Sequence, residues 1–166
     1  MSAKVVILLG SASDWPVMQS AAAELEALGV PWRAHVTSAH RTPERTVSII
    51  RESEAYGVKV FICGAGMAAH LAGAVAAQTL RPVIGVPLAG GIADGLDALL
   101  STVQIPGGIP VATVAVGKAG AKNAAVLAAQ VLALEDPGLA ERLAAVRQAK
   151  AREIEASELP GPGGGS

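Results

Sequence analysis

Three short stretches of this chain hold residues able to move protons or to grip an anion: Gly10-Ser11-Ala12-Ser13-Asp14, Thr37-Ser38-Ala39-His40-Arg41-Thr42-Pro43 and Gly64-Ala65-Gly66-Met67-Ala68-Ala69-His70. In the first, backbone N–H groups at a helix start attract an anion, and the Ser11 and Ser13 hydroxyls add hydrogen bonds to a phosphate or ribose. Helix capping by Asp14 is its plainer reading. In the second, His40 and Arg41 stand side by side at a helix entrance, where neither has a packing purpose. The guanidinium is a fixed fork of donors suited to phosphate, and the imidazole exchanges a proton near neutral pH. An exposed histidine beside a solvated arginine is the bland alternative. In the third, Gly64 and Gly66 let backbone approach a flat ligand, and His70 follows a turn later, with a structural or interface role as open to it as a catalytic one.

The rest of the composition narrows the chemistry. Three histidines at 35, 40 and 70 and a lone Cys63 give no metal-ligand spacing and no intramolecular disulfide. Cys63 reads as a small buried residue at a strand end, and His35 as a structural residue inside a strand. Thirteen basic against fourteen acidic residues leave a net charge of -1, with no Lys/Arg block, so nucleic acid is not an expected partner. The longest apolar runs are strand-sized, short of the roughly 20 residues of a membrane helix. No targeting segment is evident, and a cytoplasmic protein without membrane contact is expected. No G-x-G-x-x-G follows the first strand and no acidic residue ends the second, which argues against a dinucleotide site.

The elements that must position these loops alternate. Lys4–Leu9, Trp32–Thr37, Val58–Cys63, Pro82–Val86 and Val111–Val116 read as strands, each followed by a helix. Near-continuous apolar strands such as VVILL suit a parallel sheet covered on both faces. The expected fold is therefore α/β: a three-layer α/β/α sandwich of flavodoxin-like or Rossmann-like kind, with a C-terminal helical arm. Ligands bind beyond the carboxyl ends of such strands, so the three loops should meet in one crevice.

Helix punctuation supports the layout. Asp14 with Pro16, and Thr42 with Pro43, read as helix starts, and Gly29 and Gly57 as ends. The second helix should turn Val47 and Ile50 inward. A third helix is expected from about Met67 to Gln78. Ala119–Leu134 is apolar almost all round, and its second face is expected to be covered by another subunit. After Asp136-Pro137-Gly138, an amphipathic arm from Leu139 to Ala156 presents Leu143, Val146 and Ile154 on one side. The expectation is one domain over 1–158, with the closing Gly-rich residues 159–166 as a disordered tail.

The motifs GSASD at 10–14, SAHRTP at 38–43, GAGMAAHLAG at 64–73, GVP at 85–87, GLDALLSTVQIPGGIPVAT at 95–113 and the stretch from Gly117 to Leu134 occur in one order. In this the chain resembles the bacterial N5-carboxyaminoimidazole ribonucleotide mutases, over about residues 4 to 155. The resemblance implies a homo-octamer that isomerises a carboxylated aminoimidazole ribonucleotide in purine biosynthesis, with carbon dioxide as intermediate and no metal, ATP or other cofactor. It implies that Ser11, Asp14 and Arg41 bind the ribonucleotide with Ser13 and Ser38 nearby, that His40 is the general acid and base, and that His70 lines the same pocket.

Two positions depart from the pattern: the family usually has a second Gly where Met67 stands and a Pro where Ala72 stands. The 88–94 stretch is also richer in Gly than expected. The related aminoimidazole ribonucleotide carboxylases, which take carbon dioxide directly, carry Lys in place of Arg41 and Ser-Asn near Ala68 and Ala69, so the sequence has the mutase pattern at both places. A non-catalytic mononucleotide- or flavin-binding module on the same fold is the rival of another class, though aromatic residues for stacking a flavin are scarce.

Overall fold

Strands form where β-branched and aliphatic residues run together: β1 (Val5–Leu9), β2 (Trp32–Val36), β3 (Val60–Gly66), β4 (Val83–Leu88) and β5 (Ala112–Thr113). The computed structural model describes residues 2–157, so the expected tail at 159–166 lies outside the described residues. All strand pairs are parallel, in the order β2-β1-β3-β4-β5. This flavodoxin-like order places the switch in winding direction between β1 and β3.

The sheet is sandwiched as its alternation requires. Val5, Ile7 and Leu9 of β1 join Val60, Ile62, Ile84 and Val86 in one core, covered by α1 (Trp15–Ala27) and α5 (Gly117–Ala133). Val6 and Leu8 point the other way, with Phe61, Cys63 and Val83, against α2 (Pro43–Ala55) and α3 (Leu71–Ala76). The fourth helix, α4 (Leu96–Val103), lies on β3, β4 and β5. Small residues bring α5 close to the sheet: a Cβ on Gly120 would stand 3.3 Å from the Val86 side chain of β4. Cys63 is buried, and that burial pushes its thiol pKa up, in keeping with a structural role.

Several expectations are corrected. The third helix begins at Leu71 rather than near Met67 and ends at Ala76, because Met67 has φ 56, a left-handed conformation that a right-handed helix does not admit. β5 is two residues long: Pro110 has no N–H to offer a ladder, and the chain leaves the sheet after the bond from Val114 N–H to the Gly85 carbonyl. β4, by contrast, runs on to Leu88. In α2 the fully buried positions are Thr46, Ile49, Ile50 and Ser53, with Val47 only half-buried.

The last helix, α6 (Pro137–Glu155), starts two residues before Leu139, with the Asp136 carboxylate accepting the Leu139 N–H at 3.0 Å. Its first half is docked rather than free. Leu139, Leu143 and Val146 pack on the α1/α5 core, Arg142 Nε donates to the Leu28 carbonyl at 3.0 Å, and Lys150 pairs with Glu24. Ile154 lies beyond this contact and is 74% exposed. Within the chain α1 and α6 pack on α5, whose Ala119, Lys122, Asn123 and Gln130 remain exposed. The exposed apolar stripe is on α4 instead, where Leu96, Leu100 and Val103 follow one another at helical spacing.

Candidate active site

The loops leaving β1, β2 and β3 meet at one end of the sheet, joined by the loop after β4, around a cleft of about 650 Å³. That volume is within the range of small-ligand pockets, about 300–1,000 Å³. Every residue proposed from sequence lines it: Ser11, Ser13, Asp14, Ser38, His40, Arg41, Gly66 and His70.

The first loop folds as a capping box. Ser11 caps a short 3-10 turn at Ala12–Asp14: its hydroxyl accepts from Ser13 N–H at 3.3 Å, and the Asp14 carboxylate accepts from Ser11 N–H at 2.9 Å. Asp14 therefore turns back to Ser11 instead of capping α1, which corrects the sequence reading. The Ser11 and Ser13 hydroxyls lie 2.7 Å apart. Burial holds the Asp14 carboxyl above its ordinary pKa, an effect opposed by the hydrogen bond from Ser11 N–H. This carboxylate is the only one among the lining residues.

The second loop is closed by Thr42, whose hydroxyl accepts the Ser38 N–H at 2.9 Å. Here too the expected cap is absent, for Thr42 spends its side chain on the loop and makes no capping bond to α2, while Pro43 opens the helix as anticipated. The Ser38 hydroxyl accepts the Arg41 N–H at 3.2 Å, and the Arg41 guanidinium reaches across to the Gly10 carbonyl, also at 3.2 Å. Arg41 thereby ties the first two loops together and brings the only Lys or Arg of the lining beside the two serines. One face of the cleft can hold an anion through this guanidinium and the serine hydroxyls.

The two histidines meet directly. His40 Nε2 and His70 Nδ1 are 2.7 Å apart, with the rings 4.9 Å between centroids at 77°. One nitrogen of this pair donates and the other accepts, so protonated His40 gives its Nε2–H to His70 and keeps Nδ1–H free. Ala65, Met67 and Ala68 line the same cleft as this histidine pair, Arg41 and the serines. His35 is elsewhere, on β2, where burial, then Arg45 and Arg33, lower its pKa. Ala72 is also away from the cleft, buried in α3 against the second core.

Sequence reasoning missed Ala89 and Gly90, which close the cleft from the end of β4. Their signal lay in topology: β4 is the neighbour of β3, so its loop borders the same crevice. Among the described residues no three His, Cys, Asp or Glu converge as a metal site, and no helix is long and apolar enough to cross a membrane.

Fold and cleft together define an α/β protein with a polar cleft at the carboxyl edge of its sheet, where one arginine, three serines, a carboxylate and a pair of histidines converge. The family model described as AIR carboxylase matches residues 4–153, and the chain belongs to that family. An N5-carboxyaminoimidazole ribonucleotide mutase of Brucella melitensis is 53% identical over 154 residues, covering 93% of this chain and 95% of the relative. One from Escherichia coli K12 is 51% identical over 162 residues, with 98% and 95% covered. A crystal structure of Treponema denticola PurE superimposes with a TM-score of 0.83 at 33% identity, covering 90% of this chain and 92% of that one.

Proposed function

We propose that this chain is a mutase of purine biosynthesis that converts N5-carboxyaminoimidazole ribonucleotide to 4-carboxy-5-aminoimidazole ribonucleotide. The observation that carries this reading is the His40–His70 contact at 2.7 Å, set beside the Arg41 bridge to Gly10 in one cleft. Arg41, Ser11 and Ser13 hold the phosphate and ribose, with Asp14, Ser38 and Gly66 shaping the same wall. His40 is the general acid and base. Protonated, it delivers its proton to the carbamate nitrogen as the C–N bond breaks and carbon dioxide leaves. The ring carbon then attacks carbon dioxide, and neutral His40 removes that carbon's proton and restores aromaticity. The imidazole ends as it began, and no net proton is taken up.

Proton transfer by a positioned side chain contributes about 10²–10⁴ in rate. Holding carbon dioxide against the ring in a water-poor pocket supplies the rest. The reaction is proposed to run in the cytoplasm without metal, ATP or other cofactor. The assembly is proposed to be a homo-octamer, for which the exposed Leu96, Leu100 and Val103 of α4 offer a surface to bury.

The test is direct turnover. Purified protein with chelator present should interconvert the two carboxylated ribonucleotides, followed by ultraviolet absorbance, without added bicarbonate. The family description raises the second reading, a carboxylase acting on the unsubstituted ribonucleotide. Bicarbonate-dependent turnover of that compound, with no mutase activity, decides for it. Light scattering that gives a monomer removes the octamer.

A further inference from the structure

Thr42 is not among the residues lining the cleft, yet its hydroxyl closes the loop that carries both His40 and Arg41. Its oxygen accepts the Ser38 N–H at 2.9 Å, and its one proton can go to the Ser38 carbonyl or to the Thr37 hydroxyl, both at 3.2 Å. The Thr42 N–H donates to the same Ser38 carbonyl at 2.9 Å. Both backbone groups of Ser38 are therefore held by Thr42, with Ala39, His40 and Arg41 in between. Side-chain bonds of this kind are how a hydroxyl residue fixes the backbone around it.

The closure is also tied to the interior. Thr37, which follows β2, and Thr46 of α2 are 2% and 3% exposed, with their hydroxyls 2.8 Å apart, and Thr46 donates to the Thr42 carbonyl at 3.2 Å. The two working side chains of the loop are not equally supported. Arg41 has an anchor of its own in the Gly10 carbonyl at 3.2 Å. Among the described residues, the one hydrogen bond of the His40 ring is to His70, a side chain that is itself exposed. The place of His40 in the cleft therefore depends on the backbone that carries it.

We propose that Thr42 is a positioning residue for proton transfer: its hydroxyl fixes the loop from Ser38 to Thr42 so that the His40 imidazole stands where it can serve the substrate. This rests on the mutase reading above, which makes the demand on position a double one. A single ring must reach the carbamate nitrogen to protonate it and then the ring carbon to deprotonate it. Each transfer needs heavy atoms about 2.6–3.2 Å apart. A displacement of about 1 Å is enough to cost about 10²-fold in rate. Thr42 thus acts on turnover through His40 and without touching the substrate.

Three variants test the proposal. Thr42→Val keeps the shape and removes the hydroxyl, Thr42→Ser keeps the hydroxyl, and Thr37→Val breaks the buried link while leaving the bonds between Ser38 and Thr42 in place. With rates normalised to folded protein by circular dichroism, Thr42→Val should lower kcat by about tenfold or more. Its KM should stay within about threefold, because Arg41 keeps its Gly10 anchor. Thr42→Ser should remain within about threefold of wild type in both constants. Thr37→Val should lower the melting temperature and leave kcat within about twofold. The chain has three histidines, so NMR gives a readout independent of turnover. The ring Cε1–H signals of His40 and His70 should move in Thr42→Val and return in Thr42→Ser, with that of His35 moving less. Wild-type kcat in Thr42→Val overturns the proposal, and so does a loss that serine does not restore, an equal loss in Thr37→Val, or a loss with the His40 signal unmoved. Wild-type protein inert toward both carboxylated ribonucleotides overturns the functional reading instead, and the histidine signals then still decide whether Thr42 places His40.

Discussion

Replacing His40 by Asn, alone and together with His70→Asn, separates proton transfer from positioning. Both histidines are exposed, so neither change should move folding stability by more than about 0.5 kcal/mol. His40→Asn removes the acid and base, and kcat should fall by about 10²–10⁴, or roughly 3–5 kcal/mol of barrier. The anion contacts proposed for Arg41, Ser11 and Ser13 are untouched, so nucleotide affinity by titration calorimetry should hold. His70 lines the same cleft and its one hydrogen bond is the 2.7 Å contact with His40, through which it is proposed to act. Such a bond contributes about 0.5–1.5 kcal/mol, so His70→Asn should slow turnover by about two- to twelvefold. That loss should vanish once His40 is gone, leaving the double variant no slower than His40→Asn, with a coupling energy equal to the whole effect of His70. Initial rates from ultraviolet absorbance at saturating substrate give all four values. Retention of more than a tenth of wild-type kcat by His40→Asn refutes its role. Strict additivity, with His70→Asn as damaging as His40→Asn, refutes the claim that His70 acts through its neighbour.

Arg41→Met should raise KM by about tenfold or more while lowering kcat less, since a charge-assisted contact to phosphate is worth about 1.5–3 kcal/mol. Saturation kinetics read this, and a selective fall in kcat would count against an anchoring role. Gly120→Ala should destabilise by about 3 kcal/mol in urea unfolding, because the new methyl would overlap the Ala115 carbonyl, a backbone group that cannot rotate away. Gly64→Ala should cost less, since the atoms it meets belong to the flexible Met18 side chain. His35 has a pKa below its ordinary 6.5 in the fold, so the unfolded chain takes up a proton first on acidification. Its contribution is fully present above the unfolded value and is lost as pH falls through it toward the folded one. His35→Gln should accordingly flatten the loss of melting temperature below about pH 6.5.

The fold was legible because its signals are local. Each of the five runs that read as strands contains a parallel strand, the fifth cut to Ala112–Thr113, and Pro16, Gly29, Pro43 and Gly57 stand where helices begin or end. Where the reading failed, a contact distant in sequence or an unusual dihedral overrode the pattern. Nothing in MAAHLAG announces a residue with φ 56, so helical periodicity ran back to Met67 when the helix begins at Leu71. The partners of α5 were equally hidden. Its apolar circumference was plain, but that α6 folds back to cover it depends on Leu139, Leu143 and Val146 arriving after a turn at Asp136.

The site followed a similar division. His40 and Arg41 stood out because no packing argument accounts for them, and the sheet rule placed their loop with those at 10–14 and 64–70. Their working relations are non-local and could not be read from spacing: Arg41 to Gly10 spans 31 positions and His40 to His70 spans 30. Both contacts exist because β1 is the common neighbour of β2 and β3, so the loops that leave those strands in the same direction are held side by side. The order of the strands therefore decides the chemistry. With β2 on the far edge next to β5, His40 and Arg41 would leave together, and neither His70 nor the loop at 10–14 would keep its partner. Strand order also delivers the rest of the lining, since Gly66 and Met67 continue β3 while Ala89 and Gly90 continue its neighbour β4. An imidazole pair sharing one cleft with Arg41, the serines of the first loop and the small residues after β3 and β4 is a consequence of parallel winding from a single switch point.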